Sequence, residues 1–532
     1  MSDDDSASRS SIYFLVIAAL LALVLILSKE LHKRPRLNSV LSEAALVLLI
    51  GITVSFFVNT FIVSNDAVED DMEQQLANSL LSFRSKILFM ALLPPIIFNS
   101  GYQLRRELFY RHIAPILLFA GLGTIVSALS TSFALYGVQQ FGLLGGFNPT
   151  LLELLTFGAL IAATDTVSTL AIFHAKKVNP NLFYLVIGES ALNDAVAIVL
   201  FKTFSNFVGR DLEGAGSVLN IAGTLVSDFL VEAICSPILG ILFSFVAALI
   251  FKYSNMQECP TLELALYMLM MYIPFILAET AGLSGIVTIF FSGMSARRYI
   301  QPNVSGDTSR NADVIFKLAA YLAEVIIFLE LGLSVFGLKG SFNWIFIGWA
   351  FLASLVGRAL STYPISVVYN WSLGERVASE MSDGGSASIG SVSSNLRSSA
   401  FRKRTPPTRR RDLEIYPNMM HALWFAGMRG AVAYACVREF PNTYGHNDEF
   451  TAATMVIIFA TIVLMGGAME HFLNYLKIEM NVDEGEYMKE WHERRKLKGC
   501  FHRFGKSCDV LSVALLLPFP LMHIVLKPSP FV

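Results

Sequence analysis

Residues 188–194 read Gly-Glu-Ser-Ala-Leu-Asn-Asp and lie inside an apolar segment long enough to cross a bilayer. If this segment is a helix, Glu189 and Asn193 share one face because they are four residues apart. Ser190 and Asp194 have the same spacing and lie on the adjacent stripe. Oxygen-bearing side chains therefore cover about half of the helix circumference. By extension from harder divalent ions, a monovalent cation stripped of water needs oxygen ligands of this kind.

The whole chain has the composition of a membrane protein. Its 532 residues are 54% hydrophobic and only 15% charged, whereas soluble domains average about 25% charged. This excludes disorder, a collagen-like fibre and an ordinary soluble enzyme, and a net formal charge of −2 gives no sign of a nucleic-acid partner. We expect an all-α polytopic membrane protein with about 13 transmembrane helices. The candidate segments lie near 12–28, 40–63, 84–101, 113–137, 152–174, 182–208, 218–251, 261–280, 283–296, 313–336, 342–371, 416–438 and 450–475.

Basic residues between the segments set the expected orientation. Lys29, Lys33, Arg34 and Arg36 follow the first segment, which places that loop in the cytosol. Alternation through the later segments puts most of the remaining loop Lys and Arg residues on the same side. The C-terminus is then expected in the cytosol and the N-terminus on the opposite side of the membrane.

Two other segments carry polar groups near the middle of the bilayer. Thr164 and Asp165 lie in the fifth segment, and Arg429 lies in the twelfth between Gly427 and Gly430. Glycine-interrupted spans in corresponding positions of two halves point to a transporter site. Segments 1 to 6 and 8 to 13 can form two inverted six-helix repeats joined by the seventh, so that the fifth and twelfth correspond. Arg429 would supply fixed positive charge where helix ends meet.

Arg358, in the eleventh segment, has no acidic residue nearby in the sequence. Glu189 is its most economical partner, because a lone buried carboxylate would take up a proton whereas an arginine cannot lose its charge. We therefore expect a structural ion pair between these two residues. Asp194 and Asp165 are then left to bind a transported ion. The alternative is that such intramembrane acids only join helices to one another.

Three motifs together resemble eukaryotic sodium/proton exchangers of the cation:proton antiporter superfamily. They are Leu-Leu-Pro-Pro-Ile-Ile-Phe-Asn-Ser-Gly-Tyr at 92–102, the stretch at 188–194, and Gly-Met-Arg-Gly-Ala at 427–431. The resemblance covers about residues 84–475. Thr164, Asp165 and Asn99 are more similar to the organellar branch (endosome, Golgi or vacuole) than to the plasma-membrane branch.

The resemblance implies a homodimer whose fifth and twelfth helices are unwound and crossed. A dimerisation part would comprise about 12–101 and 261–336, an ion-carrying core about 113–208 and 342–475, and a linker helix 218–251. The ion site that the resemblance implies consists of Asp194, Asn193, Ser190, Thr164 and Asp165, with Glu189 and Arg358 as the buried pair.

Two regions differ in composition from the expected exchanger domain at 1–476. Residues 378–412 are rich in Ser and Gly and then basic, so we expect a disordered cytosolic loop. The sharper alternatives are contact with anionic membrane lipid and phosphorylation at Thr405, beside Pro406. Residues 477–532 are expected to form a short cytosolic tail. An apolar run at 510–526 lies within it.

One titrating carboxylate per cycle predicts electroneutral transport. Asp194 would hold one cation or one proton in turn, so both loaded forms would carry the same charge. We expect a secondary antiporter that exchanges Na⁺ (or K⁺) for H⁺ by alternating access, with no cofactor and no enzymatic activity. The alternative is a sodium-coupled symporter or a cation channel on a related scaffold. An enzyme is disfavoured because the chain lacks the common zinc, phosphate-loop and serine-hydrolase motifs.

Overall fold

The structure is a computed structural model, and the residues that it describes form helices and connecting loops. It describes residues 3–34, 42–60, 88–104, 109, 111–165, 169–170, 172–173, 176–209, 218–254, 256–337, 342–383, 414–483, 485, 487 and 489. No β-strand occurs within these ranges. The all-α class expected from the sequence is confirmed for this part of the chain.

The helices are numbered in chain order over the described residues. Helices α4 and α14 each contain a π-helical stretch, at Leu118–Gly123 and Thr461–Gly466. Stretches of α4, α6, α7, α8, α11 and α14 are long and apolar enough to cross a membrane. The bounds are α1 Asp3–His32, α2 Glu43–Val58, α3 Leu93–Gln103, α4 Ile113–Gln140, α5 Leu151–Ala162, α6 Pro180–Ser205, α7 Val218–Tyr253, α8 Pro260–Thr280, α9 Gly285–Tyr299, α10 Gly306–Leu333, α11 Trp344–Asp383, α12 Pro417–Phe425, α13 Ala431–Arg438 and α14 Asn447–Tyr475.

Local sequence explains where several helices begin. At the start of α5, the Glu153 amide donates to Thr150 Oγ1 (3.3 Å), and the Thr150 amide donates to Glu153 Oε2 (2.8 Å). This capping box satisfies two of the amides that a helix N-terminus leaves unpaired. Pro180 opens α6, where a missing amide proton costs nothing. The helix starts are therefore encoded locally rather than by packing alone.

The helices pack in two groups. In the first group, α9 packs against α3, α7 and α8, and α10 packs against α2 and α3. In the second group, α4 packs against α5, α6 and α11, and α13 packs against α5 and α14. The first group lies mainly in the regions expected to dimerise and the second in the regions expected to carry the ion. These two roles stay predictions.

Glycines bring α3 and α9 into close contact. A Cβ atom on Gly101 would lie 2.3 Å from the Phe290 carbonyl oxygen, and one on Gly293 would lie 2.4 Å from the Phe98 carbonyl oxygen. Small residues let helix backbones approach closely in membranes, where packing replaces the hydrophobic effect between helices. The second half of the 92–102 motif therefore has a packing role.

Helix α11 extends further than the sequence suggested. It continues to Asp383, within the start of the stretch at 378–412. Good helix formers such as Glu375, Arg376 and Glu380 carry the helix onward, and it ends directly before the first Gly-Gly pair of that stretch. The remainder of that stretch, and the 510–526 run of the tail, lie outside the described residues.

Candidate functional site

Two interrupted helices meet in the second helix group. Helix α5 ends at Ala162, and residues 163–165 continue without helical structure. The next interruption separates α12 from α13 at residues 426–430. The Asp165 amide donates to the Met428 carbonyl oxygen at 2.8 Å, which joins the two interruptions through their backbones. Irregular backbone at membrane depth requires such partners, because lipid offers none.

Arg429 binds the unpaired carbonyl oxygens at the C-terminus of α5. Its Nη1 atom donates to the carbonyl oxygens of Ala162 (3.0 Å) and Ala163 (3.2 Å), and its side chain is fully buried. The last carbonyls of a helix lack partners within the helix and carry partial negative charge. Arg429 therefore supplies both hydrogen bonds and positive charge at the end of α5.

Asp165 lies beside a helix N-terminus, that of α13. A Cβ atom on Gly430 would lie 1.9 Å from Asp165 Oδ2, so the carboxylate packs against the residue that precedes α13. The N-terminus of a helix carries partial positive charge and favours an acidic group nearby. Only glycine at position 430 leaves room for this carboxylate. Each interrupted helix thus ends beside a side chain of complementary charge.

Helix α6 is held against the break in α5 by two side chains. Ser190 Oγ donates to the Thr164 carbonyl oxygen at 2.8 Å, and Asn193 Nδ2 donates to Thr164 Oγ1 at 2.9 Å. Thr164, Ser190 and Asn193 are all buried. The structure thus brings three of the expected site residues into direct contact.

Asp194 follows Asn193 on α6 and has different surroundings. Its Oδ1 atom is buried and has no hydrogen-bond partner among the residues that the structure describes. The carboxylates of Asp165 and Asp194 lie close enough to interact electrostatically. A buried oxygen without a donor is costly in free energy. Asp194 therefore has the chemistry to accept either a proton or a small cation.

Glu189 and Arg358 form a buried ion pair. Arg358 Nη1 donates to Glu189 Oε1, and Arg358 Nη2 donates to the Leu423 carbonyl oxygen at 3.0 Å. Both side chains are nearly inaccessible, with exposed fractions of 8% for Arg358 and 3% for Glu189. A Cβ atom on Gly427 would lie 2.6 Å from Arg358 Nε. Glycine at position 427 thus makes room for the arginine that neutralises Glu189.

Two threonines that sequence reasoning did not single out also contact the site. Thr124 Oγ1 donates to Asn193 Oδ1 at 2.8 Å, and the Arg429 amide donates to Thr461 Oγ1 at 3.1 Å. Both threonines lie next to or within the π-helical stretches of α4 and α14. A single threonine in an apolar segment is common, and a π turn has no sequence pattern that reveals it. No sequence signal could therefore have identified either residue.

The site offers a mixed set of oxygen atoms. Within the described residues, no group of three or more His, Cys, Asp and Glu side chains comes together as ligands of a divalent metal would. The oxygens near the interruption come from two carboxylates, an amide and two hydroxyl groups, which belong to Asp194, Asp165, Asn193, Ser190 and Thr164.

A comparison with known families identifies the family of this chain. The profile of a family described as "Sodium/hydrogen exchanger, transmembrane" matches residues 16–405. The chain belongs to the sodium/hydrogen exchanger family. The resemblance inferred from the three motifs is therefore confirmed. The matched range includes Asp165 and Asp194 and ends before Arg429.

Two relatives illustrate how far the similarity extends. Sodium/hydrogen exchanger 9 of Rattus norvegicus is 34% identical over 424 residues, which cover 77% of this chain and 58% of that protein. Sodium/hydrogen exchanger 8 of Homo sapiens is 30% identical over 477 residues, which cover 90% of this chain and 73% of that protein. The chain therefore spans less than two thirds of the first relative and nearly three quarters of the second.

A solved structure shares the fold. The sodium proton antiporter MjNhaP1 of Methanocaldococcus jannaschii at pH 8 superposes with a TM-score of 0.60, covering 88% of this chain and 98% of that one. The sequence identity between the two is 17%. The likeness therefore concerns the fold alone.

Proposed function

We propose that this protein is an electroneutral antiporter that exchanges Na⁺ or K⁺ for H⁺, with Asp194 as the shared cation and proton site. The observation that carries the proposal is the contrast on α6 between a paired and an unpaired carboxylate. Glu189 is neutralised by Arg358, whereas Asp194 Oδ1 has no donor within the described part of the chain. Membership of the sodium/hydrogen exchanger family supports the choice of ions.

The oxygens around Asp194 suit a cation that has lost part of its hydration shell. Asp165 adds a second negative charge, and Asn193, Ser190 and Thr164 lie within one connected set of hydrogen bonds. Hard cations prefer oxygen ligands of these kinds. Asp165 and Asp194 would provide the charge that attracts the ion, and Arg429 would hold the end of α5 in place beside them.

The charge balance of the site supports electroneutral exchange. Asp194 is one carboxylate, so it binds either one monovalent cation or one proton. Both loaded forms then have the same charge, and the step that carries the load across the membrane moves no net charge. Asn193 contributes no second proton, because an amide does not titrate.

Alternating access would arise from movement of one helix group against the other. We assign the ion-carrying role to the group that contains α4, α5, α6 and α11 to α14, and the dimerising role to the group that contains α3, α8, α9 and α10. The interruptions in α5 and between α12 and α13 support two inverted repeats around about 13 transmembrane helices. We place the homodimer in an organelle membrane with its C-terminus in the cytosol. Protease protection of a C-terminal tag in sealed organelles tests this placement.

Transport by the purified protein in proteoliposomes, at a clamped membrane potential, tests the function. An imposed pH gradient is expected to drive uptake of Na⁺ or K⁺ into the vesicles in exchange for protons that leave them. The rate is expected not to change with the membrane potential. Comparing Na⁺, K⁺ and Li⁺ identifies the preferred ion. Movement of cation and solute in the same direction would indicate a symporter, and a current that follows the potential would indicate a channel. Either result contradicts the proposal.

A further inference from the structure

A hydroxyl group from α4 holds the amide of Asn193 from the side opposite to Thr164. Thr124 Oγ1 donates to Asn193 Oδ1 at 2.8 Å, while Asn193 Nδ2 donates to Thr164 Oγ1 at 2.9 Å. Thr124 and Asn193 are buried, with exposed fractions of 2% and 1%. Both ends of the amide are thus fixed by side chains, one from helix α4 and one from the interruption that follows α5. The amide cannot turn over without breaking both hydrogen bonds.

The π-helical stretch of α4 determines where the Thr124 hydroxyl lies. This stretch, Leu118–Gly123, ends directly before Thr124. A π turn adds one residue to a helix and rotates every later position by about 100° relative to a regular α-helix. Earlier in α4, Ile116 already packs closely on α6, since a Cβ on Gly188 would lie 2.5 Å from Ile116 Cδ1. The two helices are therefore in contact before the π turn, and the turn brings Thr124 onto Asn193.

The hydrogen-bonding capacity of the two groups has a consequence for ion binding. Thr124 Oγ1 also lies 2.6 Å from the Ala120 carbonyl oxygen, so its single proton has two acceptors. Asn193 Oδ1 has two lone pairs, of which Thr124 uses at most one. The other lone pair is not used by Thr124, and Asp194 is the next residue along α6.

We propose that Thr124 is a positioning residue for the ion site, which orients the Asn193 amide so that Oδ1 joins the Asp194 carboxylate in binding the cation. This inference rests on the proposed function. Thr124 itself does not bind the ion. Removal of the Thr124 hydroxyl is therefore expected to weaken cation binding. Asp194 is expected to remain able to exchange cation for proton.

The test compares Thr124→Val with Thr124→Ser in the full-length protein. Valine keeps the shape of threonine without the hydroxyl, whereas serine keeps the hydroxyl. Thr124→Val is expected to raise the KM for the preferred cation about fivefold, the factor that corresponds to one buried hydrogen bond, with kcat changed less than about twofold. Thr124→Ser is expected to keep the KM within about twofold of the unmodified protein.

A matched control and a binding measurement make the outcome decisive. Thr454→Val removes an equally buried hydroxyl whose bond is to its own helix, at the Phe450 carbonyl oxygen (2.8 Å), and is expected to leave the KM unchanged. The rise in unfolding temperature on adding Na⁺ or K⁺ reports binding without transport, and Thr124→Val is expected to reduce it. Equal KM values for Thr124→Val and Thr454→Val would overturn the positioning role, as would equal losses in Thr124→Val and Thr124→Ser. If the unmodified protein is stabilised by the cation but does not exchange it, the proposed function fails and the positioning role can still stand.

Discussion

Glu189 and Asp194 lie on the same helix, little more than one turn apart, and differ in every partner. Glu189 pairs with Arg358, and the arginine is anchored further by the Leu423 carbonyl oxygen. Asp194 Oδ1 is buried without a donor in the part of the chain that the structure describes. One acid is therefore neutralised in the structure, and the other is the acid that we propose to bind the ion. Burial alone does not distinguish the two acids, whereas their hydrogen-bond and charge partners do.

Among the changes that follow from this contrast, Arg358→Ala is expected to reduce stability most. This change strands the Glu189 carboxylate in a buried site, and breaking a buried pair in this way costs about 3–5 kcal/mol. The unfolding temperature and the yield of folded protein in detergent are both expected to fall sharply. The double variant Glu189→Gln with Arg358→Met leaves no stranded charge and is expected to recover much of the loss. A well-folded and fully active Arg358→Ala protein would show that the pair has no structural role.

Gly430→Ala is expected to have the next largest effect. The added Cβ would meet Asp165 Oδ2 at 1.9 Å, so the carboxylate must leave the N-terminus of α13. We expect a destabilisation of about 1–3 kcal/mol, as for other overpacked sites, together with a clear loss of exchange. Gly137→Ala on α4 is the matched control, because its Cβ would meet no atom within 4 Å. Equal exchange rates for the two alanine variants would remove the argument that Gly430 makes room for Asp165.

Arg310→Ala is expected to have the smallest effect. Arg310 pairs with Asp307 at 2.5 Å, but 80% of the arginine and 69% of the aspartate side chain are exposed. Exposed ion pairs contribute about 0–1 kcal/mol, because water already solvates both charges. Stability and exchange are expected to match those of the unmodified protein within error. A loss as large as that of Arg358→Ala would break the distinction between buried and exposed pairs.

The sequence predicts much of the fold, because the bilayer requires long apolar segments that hydropathy reveals. The two interruptions were visible as Thr164 and Asp165 in one segment and as glycines around Arg429 in another. The details of the contacts were not visible. Arg429 binds the carbonyl oxygens at the end of α5, and this depends on how distant segments pack.

The role of the π-helical stretches lay beyond sequence reasoning for a different physical reason. The choice between an α turn and a π turn in α4 depends on which side chains the helix meets, and the apolar pattern of the segment is the same in both cases. Thr124 could therefore not be placed on Asn193 in advance. The extension of α11 to Asp383 differs, because here the local sequence does contain the signal. Residues with high helix propensity follow position 378, where the change in composition suggested that the loop begins.

The most direct test of the account is cation-dependent proton exchange by Asp194→Asn in proteoliposomes. Asparagine has almost the same shape but cannot take up a proton or carry a negative charge. We expect a folded protein with no exchange above that of empty vesicles. Asp448→Asn, the same change at an exposed position in the first turn of α14, is expected to exchange normally. Retained exchange in Asp194→Asn would contradict the claim that this one carboxylate carries cation and proton in turn.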